Sequence, residues 1–289
     1  MKRIRIGYIL VLTLFLAACS TLQSRGAAQD SPHFKTLQQR LIADGFAENR
    51  IRELYAKPSV SFDVKSVSQY FVHKESKLNY DQFTDPDQIR NAKAYMETYK
   101  REMVAAEQAY GVSRRVITAI LLVETRLGTY LGKSSVFNTL STMAALADKE
   151  VRKMLWSQIS GTTNFSKEEY EAKADKKSGW AYDELKALLK YADREKSDPT
   201  EFVGSYAGAM GICQFMPSNA LTLARDGNDD GKVDMFNASD AIMSVASYLN
   251  NYGWYSGIDE KGAYDAVYHY NHSSYYVKTI LKVAQLLKG

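Results

Sequence analysis

The stretch Gly111-Val-Ser-Arg-Arg-Val-Ile-Thr-Ala-Ile-Leu-Leu-Val-Glu124-Thr-Arg-Leu-Gly128 decides the fold. From Arg114 to Leu127 it is apolar nearly all round, and a helix without a polar face belongs inside a core of other helices. Gly111 ends the helix before it, Ser113 stands where an N-cap is needed, and Val112 and Ile117 have the spacing of a hydrophobic staple. Gly128-Thr-Tyr-Leu-Gly-Lys-Ser134 falls one residue short of a phosphate-binding loop, with Leu127 in the place of its first glycine, and reads as the helix stop. Upstream, Ala92 to Tyr110 places Tyr95, Met96, Tyr99, Met103, Val104 and Ala106 at helical spacing, as do Leu37, Leu41, Ile51 and Leu54 further back. No sustained alternation of Val, Ile and Thr predicts a sheet, although Val60 to Val72 fits helix or strand. Residues 148–198 are charged and helix-prone, with breaks expected at Ser160-Gly161 and Ser178-Gly179. The fold class is therefore mainly α, and no internal repeat is visible.

The chain has 289 residues, 45 % hydrophobic and 24 % charged, with 5 prolines and 2 cysteines, which excludes disordered, collagen-like and disulfide-stapled classes. Its formal charge of +4 is concentrated at the start. Lys2, Arg3 and Arg5 precede an apolar run, Ile6 to Leu16, that is short of the roughly 20 residues of a membrane span, so residues 1–18 read as a secretory signal peptide. Removing them leaves 34 basic against 33 acidic residues, a balance of +1. Leu16-Ala17-Ala18-Cys19 resembles the lipobox of bacterial lipoproteins, which implies acylation of Cys19, a tether over residues 19–32, and, with Ser20 next, sorting to the outer membrane facing the periplasm. Cys213 is then left without a partner. Four histidines and two cysteines make no zinc spacing. Basic pairs such as Lys176-Lys177 are interleaved with acids, against a nucleic-acid partner.

Glu124 follows four large apolar residues. Burial disfavours the charged form of a carboxyl, and an acid that keeps its proton near neutrality is what glycosidic cleavage demands of its general acid; a structural salt bridge is the other reading. Residues 204–218, Gly-Ser-Tyr-Ala-Gly-Ala-Met-Gly-Ile-Cys-Gln-Phe-Met-Pro-Ser, carry no charged side chain, which suits a sugar better than a phosphate. From Asp226 the chain reads Asp-Gly-Asn228-Asp-Asp230-Gly231-Lys232, with oxygens at positions 1, 3 and 5 and glycine at 6, like an EF-hand loop. Position 12 is Asn237 instead of glutamate.

Together, Glu124-Thr-Arg-Leu-Gly, Ser205 to Ser218, the Asp226 loop with Asp240-Ala-Ile, and Tyr270-Asn271-His-Ser-Ser-Tyr-Tyr276 resemble the lytic murein transglycosylase B family, over roughly Ala92 to Leu287. The resemblance implies a lysozyme-like catalytic core of about residues 92–289 within a unit of residues 33–289, with further packed helices and a helical insertion at about 148–200. It implies cleavage of the β-1,4 bond between N-acetylmuramic acid and N-acetylglucosamine, leaving a 1,6-anhydromuramic end. Glu124 would act first as acid and then as base, with the substrate's N-acetyl group in place of a second carboxylate. Ser205 and Gln214 would hydrogen-bond around the acid and the sugar. Tyr248, Tyr270, Asn271 and Tyr276 would line the cleft, Asn271 near the N-acetyl group. Asp226, Asn228, Asp230, Lys232 and Asp240 would hold a structural calcium ion, no cofactor being needed for catalysis. Cys213 stands where the family pattern has glycine, and its thiol is expected to narrow the cleft or meet oxidants. Peptidoglycan glycan strands are the implied partner, the membrane is reached through the lipid, and a monomer is expected. A hydrolytic muramidase, which needs a second carboxylate about 5 to 9 Å from Glu124, and a non-catalytic peptidoglycan-binding lipoprotein are the alternatives.

Overall fold

The computed structural model describes residues 32–72, 79–161, 163 and 166–288. The signal peptide, Cys19 and most of the tether lie outside them. A 3-10 turn, Pro32–Phe34, leads into α1 (Lys35–Ala43), α2 (Glu48–Tyr55) and α3 (Val64–Val72), and a second, Asp81–Thr84, precedes the next helix. There follow α4 (Pro86–Thr98), α5 (Lys100–Tyr110), α6 (Arg114–Thr125), α7 (Val136–Ala145), α8 (Lys149–Ile159) and α9 (Lys167–Arg194). The chain ends with α10 (Pro217–Thr222), α11 (Ala238–Asn251), α12 (Glu260–Tyr270) and α13 (Ser274–Leu286). Two short antiparallel strands, β1 (Ser134–Ser135) and β2 (Val203–Gly204), set Ser134 opposite Gly204 and Ser135 opposite Val203.

The all-round apolar helix is central, as its pattern requires. α4, α5, α11 and α13 pack about α6, and Ile117, Ile120, Leu121 and Leu122 are wholly buried, each contributing about 1.5–3 kcal/mol of transfer free energy. A second layer forms on α7, whose ten residues are all buried and which lies against α1, α3 and the long α9. One contiguous hydrophobic core joins the two layers.

Three local expectations change. Val60 to Val72 resolves as α3 from Val64 onward. Ser113 occupies the N-cap of α6 but makes no side-chain capping bond; instead Glu107 Oε1 accepts the Arg114 N–H at 3.2 Å. The break expected at Ser178-Gly179 does not form, because α9 runs unbroken across it. A mid-helix glycine costs about 1 kcal/mol; Ser178 Oγ donates to the Asp175 carbonyl at 2.9 Å, and the burial of Ala181, Leu185, Leu188 and Leu189 outweighs that cost. The break at Ser160-Gly161 is present, α8 ending at Ile159.

Candidate active site

Glu124 stands one residue from the end of α6, where the helix is stopped by two side-chain-bearing residues in left-handed conformation, Arg126 (φ 50°) and Leu127 (φ 62°). Their N–H groups return to the Leu122 and Leu121 carbonyls at 3.0 Å each, so Gly128 leaves the helix in a fixed direction. Thr125 then ties this end to the glycine-rich segment. Its Oγ1 donates to the Ile212 carbonyl at 2.7 Å and accepts the Gly128 N–H at 3.0 Å.

The glycine-rich segment is a tight hairpin: Met210 and Phe215 exchange both backbone hydrogen bonds, at 2.9 and 3.0 Å. Gln214 at its tip is also left-handed (φ 50°), and its Nε2 donates to the Gly211 carbonyl at 2.9 Å. Of five non-glycine residues in that region of backbone space among the described residues, three surround this site, and backbone strain of this kind concentrates where function requires a particular geometry. Close approach explains two glycines. A Cβ on Gly132 would lie 2.1 Å from the Gly204 carbonyl oxygen, and one on Gly204 would lie 2.0 Å from that of Ala209. Ser205 Oγ accepts the N–H groups of Ala207 (3.2 Å) and Ala209 (3.1 Å), which holds the turn while leaving the hydroxyl proton to donate.

These parts enclose an open cleft of about 790 Å³ with Glu124, Ser205 and Gln214 on its surface. Residues 61–66 at the start of α3 form the facing wall, and residues 130–135 one side. The three residues read as acid and sugar contacts are thus brought together. The tyrosines are placed differently. Tyr276 is 1 % and Tyr248 5 % exposed, and neither they, Tyr270 nor Asn271 is among the residues that line the cleft. Tyr276 and Tyr248 lie buried behind the cleft, and Tyr270 and Asn271 are half-buried. Tyr276 Oη donates to Glu124 Oε1 at 2.6 Å. Tyr270 stacks on Tyr276 with centroids 6.3 Å apart and donates to the Cys213 carbonyl at 2.6 Å. Tyr248 meets Tyr270 edge-on at 4.8 Å and donates to the His269 carbonyl at 2.7 Å. Asn271 caps the end of α12, its carbonyl accepting the Ser273 N–H at 2.7 Å.

Burial, and then the charge of Glu124, push the Tyr276 hydroxyl well above its ordinary value, and Tyr270 is raised by burial, Cys213 and Glu124. Tyr276 is therefore neutral and donating at any working pH. Cys213 is wholly buried, with Sγ 3.9 Å from Met235 Sδ, and burial pushes its thiol up to about 12. It neither narrows the cleft nor offers a thiolate.

Rings that do line the cleft are Phe62, Tyr130, 63 % exposed, and Tyr206. Asp63 also lines it, its carboxylate accepting the Ser66 N–H at 2.9 Å and the Thr139 hydroxyl at 3.5 Å. None of these carried a signal beyond, for Tyr130, its nearness to Glu124 in sequence; the α3 wall meets the site only through folding.

The acidic loop has the turns that its spacing predicts. Asp226 accepts the N–H groups of Asn228 (3.2 Å) and Gly231 (2.8 Å), Asn228 that of Asp230 (3.2 Å), and Asp230 that of Lys232 (2.9 Å). Asn237 at position 12 caps α11 through the Ser239 N–H. Asp240 is wholly buried and accepts from Gly227 and Asp234 at 2.8 and 2.7 Å. Burial, with Asp226 and Asp230 adding to it, raises the Asp240 carboxyl, a cost that a bound cation would relieve. Among the described residues no three His, Cys, Asp or Glu side chains converge closely enough to hold a metal, so carboxylates alone do not make a site in this loop.

Residues 29–262 match the family described as Transglycosylase SLT domain. Membrane-bound lytic murein transglycosylase B of Escherichia coli (strain K12) is 33 % identical over 175 residues, 61 % of this chain; the match spans 41 % of that protein's length. Among solved structures, the E. coli lytic transglycosylase Slt35 in complex with calcium superposes with a TM-score of 0.69 at 21 % identity, over 89 % of this chain and 93 % of that one. SltB3 of Pseudomonas aeruginosa in complex with NAG-anhNAM-pentapeptide gives 0.68 at 19 %, over 90 % and 80 %. The mainly helical, lysozyme-like architecture read from the sequence is the fold these structures share. No helix among the described residues is long and apolar enough to cross a membrane.

Proposed function

The chain belongs to the Transglycosylase SLT domain family, and from that membership we propose that it is a lytic transglycosylase cleaving the β-1,4 MurNAc-GlcNAc bond of peptidoglycan. The observation that carries the reading is Glu124, set on an open cleft with one carboxyl oxygen gripped from the buried side by Tyr276. Protonated Glu124 gives its proton to the glycosidic oxygen as the bond to C1 of the muramic acid breaks. The carboxylate left behind takes the proton of that sugar's C6 hydroxyl as O6 bonds to C1. The acid is restored and no water is consumed. Tyr276, always neutral, donates a hydrogen bond that fixes the carboxyl's rotamer and favours its charged form between the two transfers.

Asp63 on the opposite wall supports the hydrolytic reading as the second one, since a further carboxylate can activate water. Mass spectrometry of fragments released from purified sacculi separates the two. Anhydro ends identify the transglycosylase and products one water heavier the muramidase, while an intact chain that releases nothing would leave a binding protein.

The same proposal includes acylation of Cys19 and anchoring to the outer membrane facing the periplasm, in keeping with the name of the membrane-bound relative. Incorporation of labelled palmitate, lost on Cys19→Ala, tests it. A monomer is proposed, to be checked by sedimentation. Calcium is proposed for the Asp226 to Asp240 loop, where it would supply structural charge compensation and take no part in the chemistry. The melting temperature should rise between excess chelator and excess calcium; an identical temperature in both removes the ion from the account.

A further inference from the structure

The cleft that carries Glu124 has four charged side chains on its surface, Asp63, Lys65, Glu124 and Lys133. The acids are engaged: Asp63 accepts from Ser66 and Thr139, and Glu124 from Tyr276. The two lysines are exposed, and among the described residues neither makes an ion pair or a hydrogen bond. They come from two adjoining walls that touch at the neighbouring residues, Ser66 Oγ donating to Ser134 Oγ at 2.9 Å. Lys65 is the second residue of α3, whose first turn is capped by the Asp63 carboxylate through the Ser66 N–H. Lys133 enters β1 on a backbone pinned against β2, with no room even for a Cβ at Gly132. With the Asp63 carboxylate committed to capping α3, two ammonium groups without an ion-pair partner among the described residues remain on a cleft that otherwise offers a sugar mostly neutral hydrogen bonds.

Resting on the transglycosylase reading, we propose that Lys65 and Lys133 form an anion subsite for a carboxylate carried on the 3-O-lactyl arm of muramic acid. N-acetylglucosamine has no such arm. The subsite would tell the two sugars apart and seat the muramic ring, whose C6 hydroxyl must attack, on the Glu124 side of the bond. The carboxylate has two sources, the lactyl group itself in strands without stems, or the stem peptide amide-linked to it.

The test is a binding series in the full chain with Glu124→Gln, so that ligand is not consumed. The probes are a murein tetrasaccharide with stems, the same after amidase removal of the stems, and chitotetraose. The Lys65→Gln, Lys133→Gln pair should weaken binding of the murein probes about fivefold, the scale of two exposed charge contacts, and flatten its salt dependence. The Lys65→Arg, Lys133→Arg pair should restore it, and chitotetraose should bind all forms alike. Weakening confined to stem-bearing murein assigns the carboxylate to the peptide; weakening of both assigns it to the lactyl group. Unchanged murein binding, or an equal loss on chitotetraose, overturns the subsite. Absence of anhydro ends in sacculus digests by the unmutated chain would instead remove the reading it rests on.

Discussion

Glu124 and Glu184 are both glutamates on core helices, and the structure treats them in opposite ways. Glu184 on α9 is 6 % exposed, and both of its oxygens are occupied, by the Ser218 N–H at 2.9 Å and the Ser218 hydroxyl at 2.8 Å. Ser218 lies in the first turn of α10, whose N-cap residue Met216 has no oxygen to offer. Glu184 reaches across to cap that helix. Glu124 is also held, Tyr276 Oη donating to its Oε1 at 2.6 Å, but it lies on a cleft. Burial alone does not mark an acid for catalysis. What distinguishes the two is access: one carboxyl is closed into a helix cap, the other borders a cleft.

Exchanging the chemistry at each site should break the comparison in a graded way. Glu124→Gln should lower release of muropeptides by about 10²–10⁴-fold, the range for removing a general acid, with the melting temperature nearly unchanged. Activity within tenfold of the parent would take Glu124 out of the mechanism. Tyr276→Phe removes one charge-assisted hydrogen bond and should lower kcat by about tenfold with little change in KM; a loss in KM alone would mean that the ring serves binding.

Glu184→Ala should leave the specific activity of folded protein intact and cost about 1–3 kcal/mol of stability, measured by urea unfolding, because α10 loses its cap and Ser218 its acceptor. Burial raises the Glu184 carboxyl above its ordinary value, against the opposing bonds from Ser218. Stability from a group raised in the folded state is complete below its unfolded pKa and lost as pH rises through the folded one. The parent should therefore gain melting temperature relative to Glu184→Gln as pH falls from about 7 to about 4, and a pH-independent difference would discard burial as the cause. The smallest effect concerns Cys213. With its thiol at about 12, roughly one part in ten thousand is thiolate at pH 8, so its peptide should escape alkylation in the native protein and be labelled fully in urea.

Periodicity made α6 legible because a helix that is apolar all round has one destination. Glu124, Ser205 and Gln214 were legible because each lies in a short segment whose composition is unusual: an acid among aliphatics, and glycines without charge. Tyr248, Tyr270 and Tyr276 were legible as a cluster, but a tyrosine's sequence position does not tell whether its hydroxyl or its face meets a ligand. Ser178-Gly179 misled because a local helix penalty was weighed without the buried face of α9. Asp63, Lys65, Tyr130, Lys133 and Tyr206 carried no usable signal.

By itself the sequence determined the helical class, the buried place of α6 and the carboxyl in its last turn, since these follow from side-chain polarity within one turn or two of helix. Only the tertiary structure decided which groups surround that acid. α3, β1 and α13 are far apart along the chain, and their meeting at Glu124 is set by packing about α6 and α7, where burying the apolar faces of whole helices outweighs any local preference of the residues they bring together.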